Sequence, residues 1–119
     1  MMPLFWVFLG GGLGSMVRYL IGSALKTQSL IFPWGTLVAN ALSCIILGFL
    51  VAYSIKNSLS PSYRLLLMTG FCGGFSTFST FSSETYTLLQ EGKVNLALAY
   101  VAGSLLIGLL GIIIGFRLV

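Results

Sequence analysis

The chain has no histidine and only two carboxylates. Charged residues make up 7% of its 119 positions, against about a quarter in soluble globular domains. Glu84 and Glu91 lie seven residues apart with no imidazole to work with, so acid–base and nucleophilic catalysis have little to build on. The residues argue against an enzyme. Cys44 and Cys72 lack metal-ligand spacing and fall inside apolar stretches, where thiols serve as small packing residues. They say little about redox compartment.

What remains is apolar. Hydrophobic residues reach 57% and the mean hydropathy is +1.04, a composition that belongs to integral membrane proteins. A bilayer core about 30 Å thick takes roughly 20 apolar residues per helix. Such stretches run over 3–25, 34–55, 63–89 and 94–118, so the expected architecture is all-α, a single transmembrane domain of four helices over 1–119. No basic residue precedes the first stretch and it is too long for a signal-peptide apolar region, so it is expected to remain in the mature protein. The connections at 26–32, 56–62 and 90–93 are too short for an extramembrane domain. Function is expected within the bilayer.

The basic residues Arg18, Lys26, Lys56, Arg64, Lys93 and Arg117, against only Glu84 and Glu91, give a formal charge of +4. They are scattered over helix ends, where headgroups take them up, and do not read as a nucleic-acid footprint. Nor do they orient the chain. With four spans, one face carries Lys56, Arg64 and Arg117 and the other Lys26, Lys93 and, if near enough to the end, Arg18. Such balance predicts insertion both ways up and an antiparallel, dual-topology assembly. Four helices enclose little beyond their own side chains, so a pathway calls for a homo-oligomer, most simply a two-fold dimer. Gly10 with Gly14, Gly70 with Gly74, and Gly111 with Gly115 have the spacing that lets membrane helices approach closely.

The third stretch carries GFCGGFSTFSTFSS at 70–83. Each glycine costs about 1 kcal/mol relative to alanine in a helix interior, and the hydroxyls compete for backbone hydrogen bonds. A break is expected near 73–77, which at membrane depth is tolerated only where backbone is buried in protein or lines a wet cavity. It frees carbonyls that suit a hard cation and amides that favour an anion. Across a two-fold axis, two such breaks could share one central cation. The alternative is a glycine-rich kink without a ligand.

Phe71, Phe75, Phe78 and Phe81 recur at i, i+4, i+7 and i+10, so a continuous helix would stack them on one face. Phe71 and Phe75 read as packing or lipid contact. Phe78 and Phe81 are embedded in Ser76, Thr77, Ser79, Thr80, Ser82 and Ser83. Their positive ring edges, helped by hydroxyl donors, can hold a small anion without a full positive charge. Asn40 lies about 10 Å past Pro33 along the second span at 1.5 Å per residue; its amide either ties helices together or lines a pathway. Arg18, about 22 Å from Pro3 on the same arithmetic, either snorkels or holds a functional position. Glu84 reads as a pathway mouth or an ordinary interfacial carboxylate, and Tyr100 as core or as a hydroxyl offered to an ion.

GGGLGSMVRY at 10–19, PWGTLVAN at 33–40 and GFCGGFSTFSTFSSE at 70–84 resemble the helix motifs of the Fluc (CrcB) fluoride-channel family of bacteria. The resemblance covers all four spans. It implies an antiparallel homodimer in the bacterial inner membrane, with two pores exporting fluoride passively against its toxicity and rejecting chloride. It further implies a structural sodium ion held at the dimer interface by the backbone carbonyls of Gly73 and Ser76, and pore aromatics at Phe78 and Phe81. Asn40 matches the pore asparagine, Arg18 the first-helix arginine and Tyr100 the fourth-helix tyrosine, while Ser79, Thr80 and Ser82 fall in a polar track with Glu84 at its outer end. Position 76 is Thr in many relatives and Ser here, of little consequence if the ligand is a carbonyl. The competing reading is a small proton-coupled multidrug antiporter, which needs a membrane-embedded carboxylate; the first span has none, and Glu84 would have to serve. A non-conducting accessory subunit would leave the Ser/Thr/Phe run unexplained.

Overall fold

The computed structural model describes residues 2–25 and 32–119, so Lys26 lies outside the described residues. All secondary structure among those residues is helical. In chain order it comprises α1 (Met2–Leu25), α2 (Trp34–Asn57), α3 (Pro61–Tyr63), a π-helix (Arg64–Cys72), α4 (Gly73–Phe75), α5 (Phe78–Gln90) and α6 (Val94–Arg117). Helices α1, α2 and α6 have 24 residues each and are long and apolar enough to cross a membrane, reaching about 36 Å at 1.5 Å per residue.

The stretch expected as a fourth apolar helix is in pieces. Helical backbone runs from Pro61 to Phe75 through α3, the wide-turned π-helix and α4. Ser76 (φ −85°, ψ 155°) and Thr77 (φ −149°, ψ 124°) are extended, and α5 begins at Phe78. Gly73 and Gly74 are themselves helical. The four phenylalanines therefore divide into two pairs. Phe71 and Phe75 meet edge to face at 5.5 Å, and Phe78 and Phe81 lie on the far side of the extended residues at 5.9 Å.

Local sequence explains the ends. Ser60 caps α3 by accepting the Tyr63 amide at 3.4 Å, with Pro61 at the first helical position. Beyond α5, Gly92 takes φ 75°. The Lys93 amide reaches back to the Leu88 carbonyl and that of Gly92 to Leu89, the hydrogen-bond pattern of a glycine-terminated helix.

Glycine sets the helix spacing. Gly10 and Gly14 of α1 lie against the backbone carbonyls of Leu66 and Phe71, and Gly74 lies against the backbone of Gly11. The small-residue pairs of α1 and of the third helical run thus face each other. On the other side, Gly115 of α6 meets the Ile45 backbone and Gly48 of α2 that of Ile112. No side chain separates these backbones, so dispersion contacts form along both seams. The core proper is small: Tyr100 and Ala39 are fully buried, with Cys72, Phe75, Leu88 and Ala97 close behind. Large apolar side chains on α1 and α6, such as Phe8, Leu105 and Leu109, face outward.

The seams make a direct expectation. Gly14→Ala places a methyl into the Phe71 backbone and should destabilise the protein by about 1–3 kcal/mol. Gly103→Ala meets nothing within 4 Å and should be neutral or gain up to about 1 kcal/mol of helix propensity. Thermal unfolding of both variants in one detergent checks the contrast.

Candidate functional site

The extended pair Ser76–Thr77 organises the polar residues of the chain. In a continuous helix the Thr77 amide would return to the carbonyl of Gly73. Here it donates to Asn40 Oδ1 at 2.9 Å, and Asn40 Nδ2 donates to the Thr77 carbonyl at 3.4 Å. One carboxamide therefore meets both backbone groups of a non-helical residue, satisfying a donor and an acceptor that no helix pairs. Thr77 then starts the next helix, its Oγ1 accepting the Thr80 amide at 3.3 Å.

The turn before the extended pair is held from two sides. Arg18 Nε donates to the Gly74 carbonyl at 3.1 Å, with Ser15 Oγ at 3.5 Å from the same oxygen. Arg18 is half-buried, and its guanidinium is tied back to α4. From α2, Ser43 Oγ donates to the Cys72 carbonyl at 3.1 Å, and Ser76 Oγ reaches the same carbonyl at 2.9 Å.

Two hollows meet at Thr77. One, of about 580 Å³, is bordered by Arg18, Trp34, Thr36, Thr77, Thr80 and Glu84, among others. The other, an open groove of about 390 Å³, is bordered by Asn40, Ser76, Thr77, Phe78, Phe81 and Ser104 together with Cys44 and aliphatic side chains of α6. The first hollow contains a cation and carboxylates, whereas the groove's lining has no charged side chain. Phe78 is 78% exposed at the groove's edge. Phe81 is partly buried against Leu37, Leu88, Ala97 and Tyr100.

Of the residues singled out by sequence, Arg18, Thr80 and Glu84 converge on the first hollow and Asn40, Ser76, Phe78 and Phe81 on the groove. Ser79 and Ser82 are exposed on α5 and border neither; Ser79 Oγ instead pairs with Thr77 Oγ1 at 3.3 Å. Tyr100 is fully buried and its hydroxyl donates to Glu84 Oε1 at 2.8 Å, so neither is a free group at a pathway mouth. Gly73 is exposed, with open space where a Cβ would stand.

Sequence reasoning passed over Thr77 as a junction and Ser104 altogether. Ser104 Oγ is buried with no hydrogen-bond partner among the described residues. Its position one helical turn after Tyr100 is the signal that would have found it.

Asn40→Ala removes both partners of Thr77. A fully buried amide left unpaired costs about 1–3 kcal/mol; Thr77 is partly buried, so the variant should lose part of that and unfold at lower temperature. Asn40→Asp, which keeps an acceptor for the Thr77 amide, should lose less, as thermal unfolding of the two side by side would register.

The profile of the family described as "CrcB-like protein, Camphor Resistance (CrcB)" matches residues 5–116. A protein of Phocaeicola vulgatus named fluoride-specific ion channel FluC is 41% identical over 116 residues, 97% of this chain and 96% of the relative. Proteins with the same name from Pyrococcus horikoshii and Thermus thermophilus are 42% and 46% identical over 113 residues, 94% of this chain in both cases and 91% and 89% of the relatives. The apolar helices, the charge-free aromatic groove and the near full-length match lead to one conclusion: this chain is an integral membrane protein and belongs to the CrcB-like family.

Proposed function

We propose that this chain is a fluoride-specific ion channel, passive and electrogenic, and not an enzyme. The observation that carries the reading is the groove in which the Phe78 and Phe81 rings, 5.9 Å apart, flank the Asn40 amide and the start of α5 with no charged side chain in the lining. Ring edges and the positive end of a helix attract an anion. Without a fixed positive charge they hold it weakly enough to let it go. The names of the relatives agree.

In this reading the chain forms one domain with four spans, residues 61–90 making up the third, broken at Ser76–Thr77. Arg18 gives the approach its positive charge and Thr80 a hydroxyl, and fluoride passes Thr77 into the groove along Asn40, Phe78, Phe81 and Ser104. Ser79 and Ser82 would enter the path only from a neighbouring copy, and Tyr100 and Glu84 stand beside it. A single copy leaves the groove open and Phe78 uncovered, so the working unit is an antiparallel, dual-topology homodimer in the bacterial inner membrane. A structural sodium ion fits the donors present. The Thr77 amide is diverted to Asn40, which releases the Gly73 carbonyl at an exposed position with room for close approach. Neutral carbonyls of unwound backbone suit that ion. The carbonyls of Gly73 and Ser76 from two copies would hold it, and the bound charge would tie the copies together.

Hydrogen fluoride enters cells from acid surroundings and dissociates in a more neutral cytoplasm, trapping fluoride. The negative interior drives the anion out through a passive pore at about 2.3 kcal/mol per charge per 100 mV. A proton-coupled antiporter would need an available embedded carboxylate, and Glu84 is committed to Tyr100 at 2.8 Å.

Liposomes loaded with potassium fluoride and opened with valinomycin test the function. Fluoride efflux should be fast, chloride efflux absent and proton-gradient dependence nil, with Phe81→Ile slowing fluoride by about tenfold or more, the loss of one favourable aromatic contact. No efflux from folded protein would defeat the reading.

Replacing sodium with N-methylglucamine throughout purification should lower the unfolding temperature and release monomer on size exclusion, and C-terminal tags should be reached from both sides of the membrane. An unchanged dimer without sodium would remove the cation from the proposal, and a tag reached from one side only would remove dual topology.

A further inference from the structure

Glu84 and Phe81 are three residues apart on α5, one turn of the same face, yet they border different spaces. Phe81 edges the aromatic groove and Glu84 the larger hollow beyond it. Tyr100 of α6 joins them. Its hydroxyl donates to Glu84 Oε1 at 2.8 Å, and its ring lies 5.0 Å from the Phe81 ring at 47°. The Phe32 ring also meets Tyr100, at 5.3 Å in an edge-to-face arrangement. Tyr100 is the largest fully buried side chain in the protein's described residues, and Leu37, Leu88 and Ala97 complete its surroundings.

A phenol has one proton to donate. While it is given to Glu84, Tyr100 has none for an anion. A carboxylate at the same spot repels fluoride. Neither residue is therefore placed to serve as an ion ligand, and both are placed to hold something that is. We propose that Glu84 is a positioning residue: through its hydrogen bond to Tyr100 it fixes the Tyr100 ring as a back wall that holds the Phe81 ring in its setting at the groove. Phe78, the other ring beside Phe81 at 5.9 Å, is mostly exposed, so the support for Phe81 comes from its buried side at Tyr100. The chain Glu84–Tyr100–Phe81 links α5 to α6 and then returns to α5, so the ring's setting depends on a contact between helices and not on α5 alone.

The inference rests on the fluoride-channel reading, and its test keeps the two apart. Fluoride efflux per folded dimer is measured for wild type, Glu84→Ala, Glu84→Gln, Tyr100→Phe and the double variant Glu84→Ala/Tyr100→Phe, alongside the ring-flip rate of isotopically labelled Phe81 by NMR. Losing a hydrogen bond to a charged group should slow efflux about tenfold in Glu84→Ala and in Tyr100→Phe. The double variant should be no slower than either single one, since both break the same link. Glu84→Gln, whose amide oxygen still accepts the phenol proton, should recover most of what Glu84→Ala loses, and Phe81 should flip faster wherever the link is broken. Glu84→Gln as slow as Glu84→Ala would mean that the carboxylate's charge matters and not its bond, and would overturn the proposal. So would multiplied losses in the double variant, or an unchanged Phe81 flip rate in Glu84→Ala. Silence of the wild type would strike the channel reading instead, leaving the flip rates to decide the brace.

Discussion

A single side chain, Asn40, holds the backbone that the rest of the site is built upon. Its carboxamide accepts the Thr77 amide and faces the Thr77 carbonyl with its own donor, doing for one extended residue what the helix does for every other. In lipid an unpaired peptide group costs several kcal/mol, so without such a partner the chain would wind straight through from Pro61 to Gln90. With it, the Gly73 carbonyl is released, Thr77 can cap α5, and the two hollows meet at one residue.

The two ends of this short segment are stabilised differently. Behind it, Arg18 and Ser15 of α1 and Ser43 of α2 all donate to carbonyls of the turn 72–74, fixing it to two helices at once. Ahead of it, α5 is fastened to α6 chiefly through the cluster around Tyr100. The extended residues thus sit between a polar clamp and an aromatic one. Such a frame holds rings and amides still, and in the proposed channel preorganised neutral dipoles would discriminate by size and hydration where a fixed charge would trap. The glycine seams belong to the same scheme. Where Gly10 and Gly14 of α1 lie directly on the backbone of the third helical run, Arg18 one turn later comes within reach of Gly74.

Much of this was legible in the sequence because it is written in composition and spacing. Apolar length marked α1, α2 and α6, small residues four apart marked the seams, and the dense Gly/Ser/Thr/Phe run marked where the third helix would be interrupted. The exact place was less legible. Glycines and hydroxyls together suggested 73–77, but Gly73 and Gly74 stay helical, Gly74 lying against the Gly11 backbone of α1, and the extended residues are the hydroxyl pair that follows. Propensity favoured the glycines; a side-chain partner 37 positions away favoured Thr77. Contacts of that kind leave no periodic trace. For the same reason the sequence left Tyr100 and Glu84 as separate candidates, although they are hydrogen-bonded to each other, and it gave Ser82 the same weight as Thr80 although the two differ in which space they face. Ser104 was within reach of helical arithmetic from Tyr100 but offered no motif of its own.

Carbon chemical shifts of Ser76 and Thr77, measured by solid-state NMR on labelled protein in lipid bilayers, address the interrupted backbone most directly. Cα shifts on the extended side of random coil at both residues, with helical shifts at Phe75 and Phe78, are the expected result. Helical shifts at all four positions would mean that the third helix runs unbroken and that neither the released carbonyl nor the junction at Thr77 exists in the membrane.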